Sequence, residues 1–172
     1  MVLCGMFAAL VAIGAFIQIP VPYMDYFTLQ FFFVLLAGLI LGADKGAISV
    51  GCYGLVGVPI FAAGGGIGYI FRPSFGYLVG FIVSAYVTGK VCEKLKASYK
   101  NYLLACLAGF VVTYAIGIVY KFIILNFYAH TPATLGVIFL SCFPLDMPGD
   151  FVLCLLAAGV GLRMRKSGFY LS

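Results

Sequence analysis

Long apolar runs alternate with short polar, glycine-rich or proline-rich stretches along the whole chain. Six of these runs approach the roughly 20 residues that an α-helix needs to cross a bilayer. The sequence therefore predicts six spans, at about residues 2–19, 27–41, 47–61, 73–91, 102–128 and 149–162. The predicted fold is all-α, a single integral membrane domain over residues 1–172.

The stretches between these runs carry the expected helix-breaking residues. Pro20 and Pro22 end the first run, and the second ends in a turn over residues 42–46. The connection from His130 to Pro148 stays apolar, but its run 134–143 is too short to cross. An interfacial or re-entrant segment is therefore predicted there.

Composition supports lipid as the main solvent. The chain has 172 residues, of which 65% are apolar and 9% charged, whereas soluble domains carry about 25% charged residues. Residues 2–18 have no basic start or cleavage pattern of a signal peptide, so they are interpreted as a span, with room for a few cytoplasmic residues before Met1.

Basic residues are distributed unequally between the predicted loops. With both termini in the cytoplasm, eight of the ten lie inside and only Arg72 and Lys121 lie outside. The inner eight are Lys45, Lys90, Lys94, Lys96, Lys100, Arg163, Arg165 and Lys166. Cytoplasmic loops are enriched in Lys and Arg, so the net charge of +5 indicates topology rather than a nucleic-acid partner.

Cysteine and histidine give little evidence of catalysis or metal binding. The six cysteines show no C-x-x-C spacing, and we interpret them as small packing residues. One histidine, His130, cannot form a metal site alone. With five carboxylates in the chain, an intramembrane enzyme is a poor hypothesis. We therefore expect no catalytic residues, no metal and no cofactor.

Small residues recur every four positions in two of the predicted spans. The two sets are Gly76, Gly80, Ser84 and Thr88, and Ala105, Gly109, Thr113 and Gly117. This spacing places each set on one helix face, where backbones can approach closely. Close packing is the predicted role. The first span carries a shorter pattern, Ala8-x-x-x-Ala12.

Four polar residues lie within or near the spans and are candidates for a site, because such residues are costly in lipid. Lys121 continues the line of Gly117, although it could instead extend to the outer interface. Asp150 begins the sixth span and could alternatively act as an N-cap or first-turn carboxylate. Thr28 and Gln30 could equally bond to neighbouring helices.

The segment 64–77, GGGIGYIFRPSFGY, is the most informative stretch. Glycines such as Gly65 and Gly66 let a backbone approach a ligand, and Arg72 can bind a carboxylate through its planar fork. Tyr69, Phe75 and Tyr77 provide aromatic walls. A phosphate loop is a poor interpretation without a Gly-Lys-Ser/Thr ending. The segment predicts an outward pocket for a small, partly apolar, anionic solute.

Several motifs resemble those of one family. They are Ile19-Pro-Val-Pro22, Phe27-Thr-Leu-Gln30, the run 36–42, the run 57–66, the run 72–81 and Pro148-Gly149-Asp150. In this order they resemble the BioY family, the biotin-specific substrate-binding (S) components of energy-coupling factor (ECF) transporters. The resemblance covers roughly residues 5–165.

The resemblance implies a six-helix S-component fold in the bacterial cell membrane. It implies that biotin is captured from outside and delivered inward with a transmembrane coupling subunit and two ATP-binding-cassette ATPases. Ala8 and Ala12 match the pattern by which the first span meets the coupling subunit. From the chemistry of biotin, we expect an ionised Asp150 to accept from the ureido N–H groups and Arg72, favoured over Lys121, to pair with the carboxylate. Lys121 could instead lie near the ureido carbonyl. The chain has no Walker motif, so its partners must hydrolyse ATP.

One departure affects the expected site. The family often has Asp-x-x-Lys at the start of the sixth span, but Leu153 occupies the lysine position here. Either Lys121 or Arg72 supplies the cation, or the ligand is held differently. An S component for another small vitamin is therefore the alternative. A channel or purely structural protein would not explain the aromatic, glycine-rich segment.

Overall fold

A computed structural model describes residues 2–19, 27–57, 67–128, 134–142 and 146–168. The helices are α1 (Val2–Phe16), α2 (Gln30–Leu41), α3 (Ala43–Gly57), α4 (Phe75–Lys94), α5 (Tyr99–Ile123), α6 (Leu135–Cys142) and α7 (Asp146–Lys166). A 3-10 helix covers Ile67–Phe71, and a π-helix, Ile124–Tyr128, continues α5. Strands β1 (Gln18–Ile19) and β2 (Phe27–Thr28) pair antiparallel. The described chain is thus helical apart from this strand pair.

Three helices begin earlier than the sequence pattern indicates, among them α5, which starts at Tyr99 rather than at about residue 102. A turn was predicted over residues 42–46, but only Gly42 separates α2 from α3. Gly42 lies at φ +82°, a conformation that favours glycine. α3 therefore starts at Ala43 rather than at about residue 47. α7 starts at Asp146 rather than Gly149. Pro148 lies in its first turn, where the missing N–H would have no helical acceptor anyway.

α2 is the central helix of the bundle. It packs against α1, α3, α4 and α7, and it buries every residue except Phe32 and Phe33, which are partly buried. A helix that is apolar on all sides needs protein or lipid on all sides. Here neighbouring helices provide most of that cover, so α2 fixes the positions of the helices that surround it.

α4 and α5 form the most extensive helix pair. All eight small residues predicted to pack are buried between or beside these helices, which confirms the predicted close approach. A methyl group added at Gly80 would lie 3.0 Å from the Thr113 carbonyl oxygen, and one at Gly117 would meet the Tyr77 ring. We call this contact the small-residue seam. It brings the side chains at the end of α5 beside those at the start of α4.

Charged contacts gather at one end of the bundle. The Ala43 N–H donates to Glu93 Oε1 at 2.9 Å, and Lys90 Nζ lies 3.7 Å from Glu93 Oε2. Arg165 Nη1 donates to the Tyr102 hydroxyl at 3.0 Å. These contacts join the α2–α3 turn to the end of α4, and the start of α5 to the end of α7. The eight basic residues assigned to inner loops therefore share this end, which we call the basic end.

Length and apolar character mark three segments as candidate membrane spans among the described residues: α4, α5 with its π-helical extension, and α7. α1 and α2 are shorter apolar helices. Large apolar side chains are exposed along the outside of the bundle, including Val111, Val119 and Val152. This surface suits lipid contact, because water would not favour it.

The cysteine prediction holds only in part. Cys92, Cys106 and Cys154 are buried, as packing residues would be, but Cys52 is exposed on α3 and Cys4 is half-buried. These five are all free thiols. Cys52 is therefore a surface residue, and packing does not account for it.

α6 occupies the connection in which a short interfacial or re-entrant segment was predicted. It spans Leu135–Cys142 and is too short to cross a bilayer. Its exposed residues include Leu135, Val137 and Phe139, whereas Ile138 is buried. The short helix is confirmed, and its depth in a membrane stays a prediction. His130 lies outside the described residues.

Candidate functional site

Asp150 and Tyr114 form the central polar contact at the end of the bundle opposite the basic end. The Tyr114 hydroxyl on α5 donates to Asp150 Oδ2 on α7 at 2.8 Å. Because α7 begins at Asp146, Asp150 lies one turn inside the helix, so the N-cap and first-turn interpretations were wrong. Its carboxylate bonds to another helix instead of capping its own.

Tyr114 was not predicted from the sequence. It is 5% exposed. It lies in an apolar run, where the sequence does not distinguish it from an aromatic residue that only packs in the core. A buried tyrosine hydroxyl usually has a hydrogen-bond partner. That rule could have identified Tyr114 as a polar position, but only the packing of α5 against α7 reveals Asp150 as its partner.

Aromatic rings surround this contact. Tyr77 lies edge-on to Tyr114 with ring centroids 5.9 Å apart, and Phe110 lies 4.7 Å from Tyr114. Gly117 leaves room for the Tyr77 ring against α5. We call Asp150, Tyr114, Tyr77 and Phe110 the acid–aromatic cluster. It combines a hydrogen-bond acceptor with apolar ring surface.

A second group of side chains lies where the 3-10 helix meets α4 and α5. The Arg72 guanidinium is 5.8 Å from the centre of the Tyr69 ring. Tyr69 contacts Phe75 edge-on at 6.3 Å, and Phe75 lies 5.8 Å from Tyr120. Arg72 is exposed. We call these four residues the arginine–aromatic cluster, and the structure brings together its three sequence-predicted members.

Two contacts hold the 3-10 helix against the end of α5. The Tyr120 hydroxyl donates to the Ile70 carbonyl oxygen, and the Phe71 and Tyr128 rings stack 4.8 Å apart at 16°. Neither contact was predicted from the sequence. Together they fix the segment that carries Arg72 relative to the helix that carries Tyr114.

The other predicted residues take different positions. Gln30 is buried and its side chain hydrogen-bonds that of Tyr53 on α3, so it bonds a neighbouring helix. Thr28 is half-buried in β2, where it pairs with Gln18. Lys121 is half-buried in the last turn of α5. Gly65 and Gly66 lie outside the described residues.

Leu153, at the position where the family often has lysine, is a buried apolar residue. It is 4% exposed and belongs to the hydrophobic core. Asp146, one turn before Asp150, instead lies close enough to both Asp150 and Tyr114 to interact with them electrostatically. Among the described residues, the polar neighbours of Asp150 thus include a phenol and a second acid. No group of three or more His, Cys, Asp and Glu residues that could hold a metal occurs in the described part of the chain.

Comparison with known families identifies the bundle. The BioY family profile matches residues 1–168. The chain belongs to the BioY family. The family predicted from the sequence motifs is therefore confirmed.

Individual BioY proteins are similar over nearly the whole chain. A protein of Lysinibacillus sphaericus named "Probable biotin transporter BioY" is 39% identical, covering 96% of this chain and 86% of its own length. The biotin transporter BioY of Thermotoga maritima is 37% identical, with 94% and 93% covered. Since these relatives are transporters, the family places the chain in transport rather than catalysis.

A solved structure has the same fold. The crystal structure of the S-component for biotin from an ECF-type ABC transporter superposes with a TM-score of 0.80 and 25% identity, covering 96% of this chain and 89% of that one. The S-component-like helical membrane fold predicted from the sequence is confirmed, with the short β1–β2 pair as the one departure among the described residues.

Proposed function

We propose that this BioY protein is the biotin-binding S component of an ECF transporter in the bacterial cell membrane. It captures biotin from outside and delivers it inward with a coupling subunit and two ATP-binding-cassette ATPases. Support comes from BioY relatives that match over most of their length and from the solved biotin S-component with the same fold. Biotin is the transported ligand, so no separate cofactor is required.

The acid–aromatic cluster is the observation that carries the binding proposal. Biotin has a neutral ureido ring with two N–H donors, and an ionised carboxylate accepts such donors. Asp150 has Oδ2 bonded to Tyr114 at 2.8 Å, so Oδ1 can accept from the ligand. Tyr77 and Phe110 supply apolar surface beside it for the fused rings.

The arginine–aromatic cluster would hold the other end of the ligand. Arg72 is exposed and presents a planar set of N–H donors that suits a carboxylate. Tyr69 and Phe75 would contact the apolar side chain of biotin. Lys121 is the second candidate cation, since it follows Tyr120 directly on α5. We favour Arg72, because its 3-10 helix is tied to α5 beside the cluster.

Partner binding is assigned to α1. Ala8 and Ala12 are half-buried and pack beside the core, so their helix face is only partly covered. Replacing both with leucine should abolish biotin uptake in cells that contain the coupling subunit and ATPases, while the isolated protein keeps its biotin affinity. An equal loss of affinity would assign these alanines to the core instead.

Titration calorimetry of the purified protein with biotin tests the function. Saturable binding of biotin, without comparable binding of riboflavin or thiamine, is the expected result. Leu153 favours one alternative, an S component for another small vitamin, because it leaves Asp150 without the expected lysine. Binding of another vitamin in place of biotin would support that alternative and overturn the proposal.

A further inference from the structure

We propose that Tyr114 is a positioning residue that adapts Asp150 to a neutral N–H donor, and so sets the selectivity of the site for a ureido ring over a cationic ring. The proposal rests on the proposed biotin function and deepens it. Its basis is a contact between α5 and α7 that the sequence motifs did not indicate, the 2.8 Å hydrogen bond from Tyr114 to Asp150 Oδ2.

The Tyr114 ring is fixed by its neighbours. The ring centroids of Phe110 and Tyr77 lie 4.7 and 5.9 Å from that of Tyr114. Only 5% of Tyr114 is exposed. A ring held in this way cannot move its hydroxyl away from Asp150 without disturbing α4. The hydrogen bond therefore orients the carboxylate before any ligand arrives, which reduces the cost of ordering it on binding.

The electrostatic surroundings of Asp150 make this phenol important. Asp150 forms no ion pair with a described residue, Asp146 lies near it, and Leu153 packs into the core. A partly buried carboxylate needs hydrogen bonds or an opposite charge to compensate for lost hydration. Tyr114 supplies a hydrogen bond without adding charge. The ligand must then supply donors, and it need not supply a positive charge.

Removal of the Tyr114 hydroxyl should change the affinity of the site for a neutral ligand relative to a cationic one. In Tyr114→Phe the carboxylate loses its protein donor, and a cationic ligand would compensate for it better than a neutral one. 2-Iminobiotin provides this comparison, because a protonated guanidinium group replaces its ureido group while its side chain is that of biotin. Binding of the two ligands to the same variant reports on Asp150 and leaves the carboxylate end unchanged.

The experiment measures both affinities by calorimetry at a pH at which 2-iminobiotin is protonated. Tyr114→Phe should weaken biotin about 10-fold and leave 2-iminobiotin little changed. Tyr102→Phe is the matched control. It removes another buried hydroxyl of α5, one that bonds Arg165 at the basic end. Tyr102→Phe should leave the ratio of the two affinities as it is in the unsubstituted protein.

A double-substitution series separates positioning from a general loss of structure. If Tyr114 acts through Asp150, Tyr114→Phe should have little further effect on biotin binding in the Asp150→Asn background. Equal weakening of both ligands by Tyr114→Phe, or an undiminished effect in that background, would overturn the inference. Absence of biotin binding by the unsubstituted protein would overturn the proposed function itself, and this inference with it.

Discussion

Tyr102 and Tyr114 lie on the same helix, and each hydroxyl bonds a charged side chain of α7. At the basic end, Arg165 donates to Tyr102 at 3.0 Å. At the opposite end, Tyr114 donates to Asp150 at 2.8 Å. The two contacts are alike in geometry and burial, so the difference between the ends lies in the sign of the charge and in the surroundings.

The surroundings of Tyr102 leave little for a ligand to contact. Tyr102 is 1% exposed, and Arg165 also lies 4.0 Å from the buried Cys92 thiol. At the other end, the Tyr114 ring, whose hydroxyl bonds Asp150, contacts the rings of Tyr77 and Phe110. In the proposed function, the same helix pair carries a packing contact at one end and the binding site at the other. A buried polar contact alone does not distinguish structure from function.

Removing the charge at each end should separate these roles most clearly. Asp150→Asn should lower biotin affinity by about 10- to 150-fold, because a hydrogen bond to a charged group contributes about 1.5–3 kcal/mol. It should weaken biotin and biotin amide alike. Arg165→Gln is the matched change at the basic end and should lower the melting temperature in detergent but not the affinity. Loss of affinity with Arg165→Gln would show that the two ends are coupled.

The contributions of the two ends of the ligand to its affinity should also be separable by mutation. Arg72→Ala should weaken biotin about 10-fold through loss of a charge-assisted pair. It should have a much smaller effect on biotin amide, which lacks the carboxylate charge. Calorimetry with both ligands gives the comparison, and Lys121→Ala serves as the alternative cation. Equal weakening of the two ligands by Arg72→Ala would show that the carboxylate is bound elsewhere.

The sequence predicts the bundle better than the site. Regular four-residue spacing identifies the small-residue seam, because a helix converts that spacing into one face. Asp150 and Arg72 are recognisable because charge is rare in apolar segments. Tyr114 carries no charge, so the sequence does not single it out. Its role depends on the rotation of α5 against α7, which tertiary packing sets. The start of α7 was likewise missed, because Pro148 suggested a boundary that the first turn of a helix tolerates.

The structural role of the basic half can be tested at glycines, where the smallest effects are expected. A methyl group added at Gly38 would lie 2.5 Å from the Ala85 carbonyl oxygen and 3.2 Å from the Gly89 nitrogen. Both are backbone atoms, so α2 and α4 must separate. Gly38→Ala should lower the free energy of unfolding by about 1–3 kcal/mol, with biotin affinity little changed.

Gly51→Ala provides the matched control, because a methyl group there meets nothing within 4 Å. The alanine should be neutral or stabilise α3 by up to about 1 kcal/mol, since glycine loses more backbone freedom in a helix. Thermal unfolding in detergent, followed with and without biotin, measures both variants. A marked loss of biotin affinity in Gly38→Ala, at temperatures where this variant stays folded, would contradict the separation of a structural basic end from a binding site at the opposite end. The packing of α2 against α4 would then position the binding site as well as the basic end.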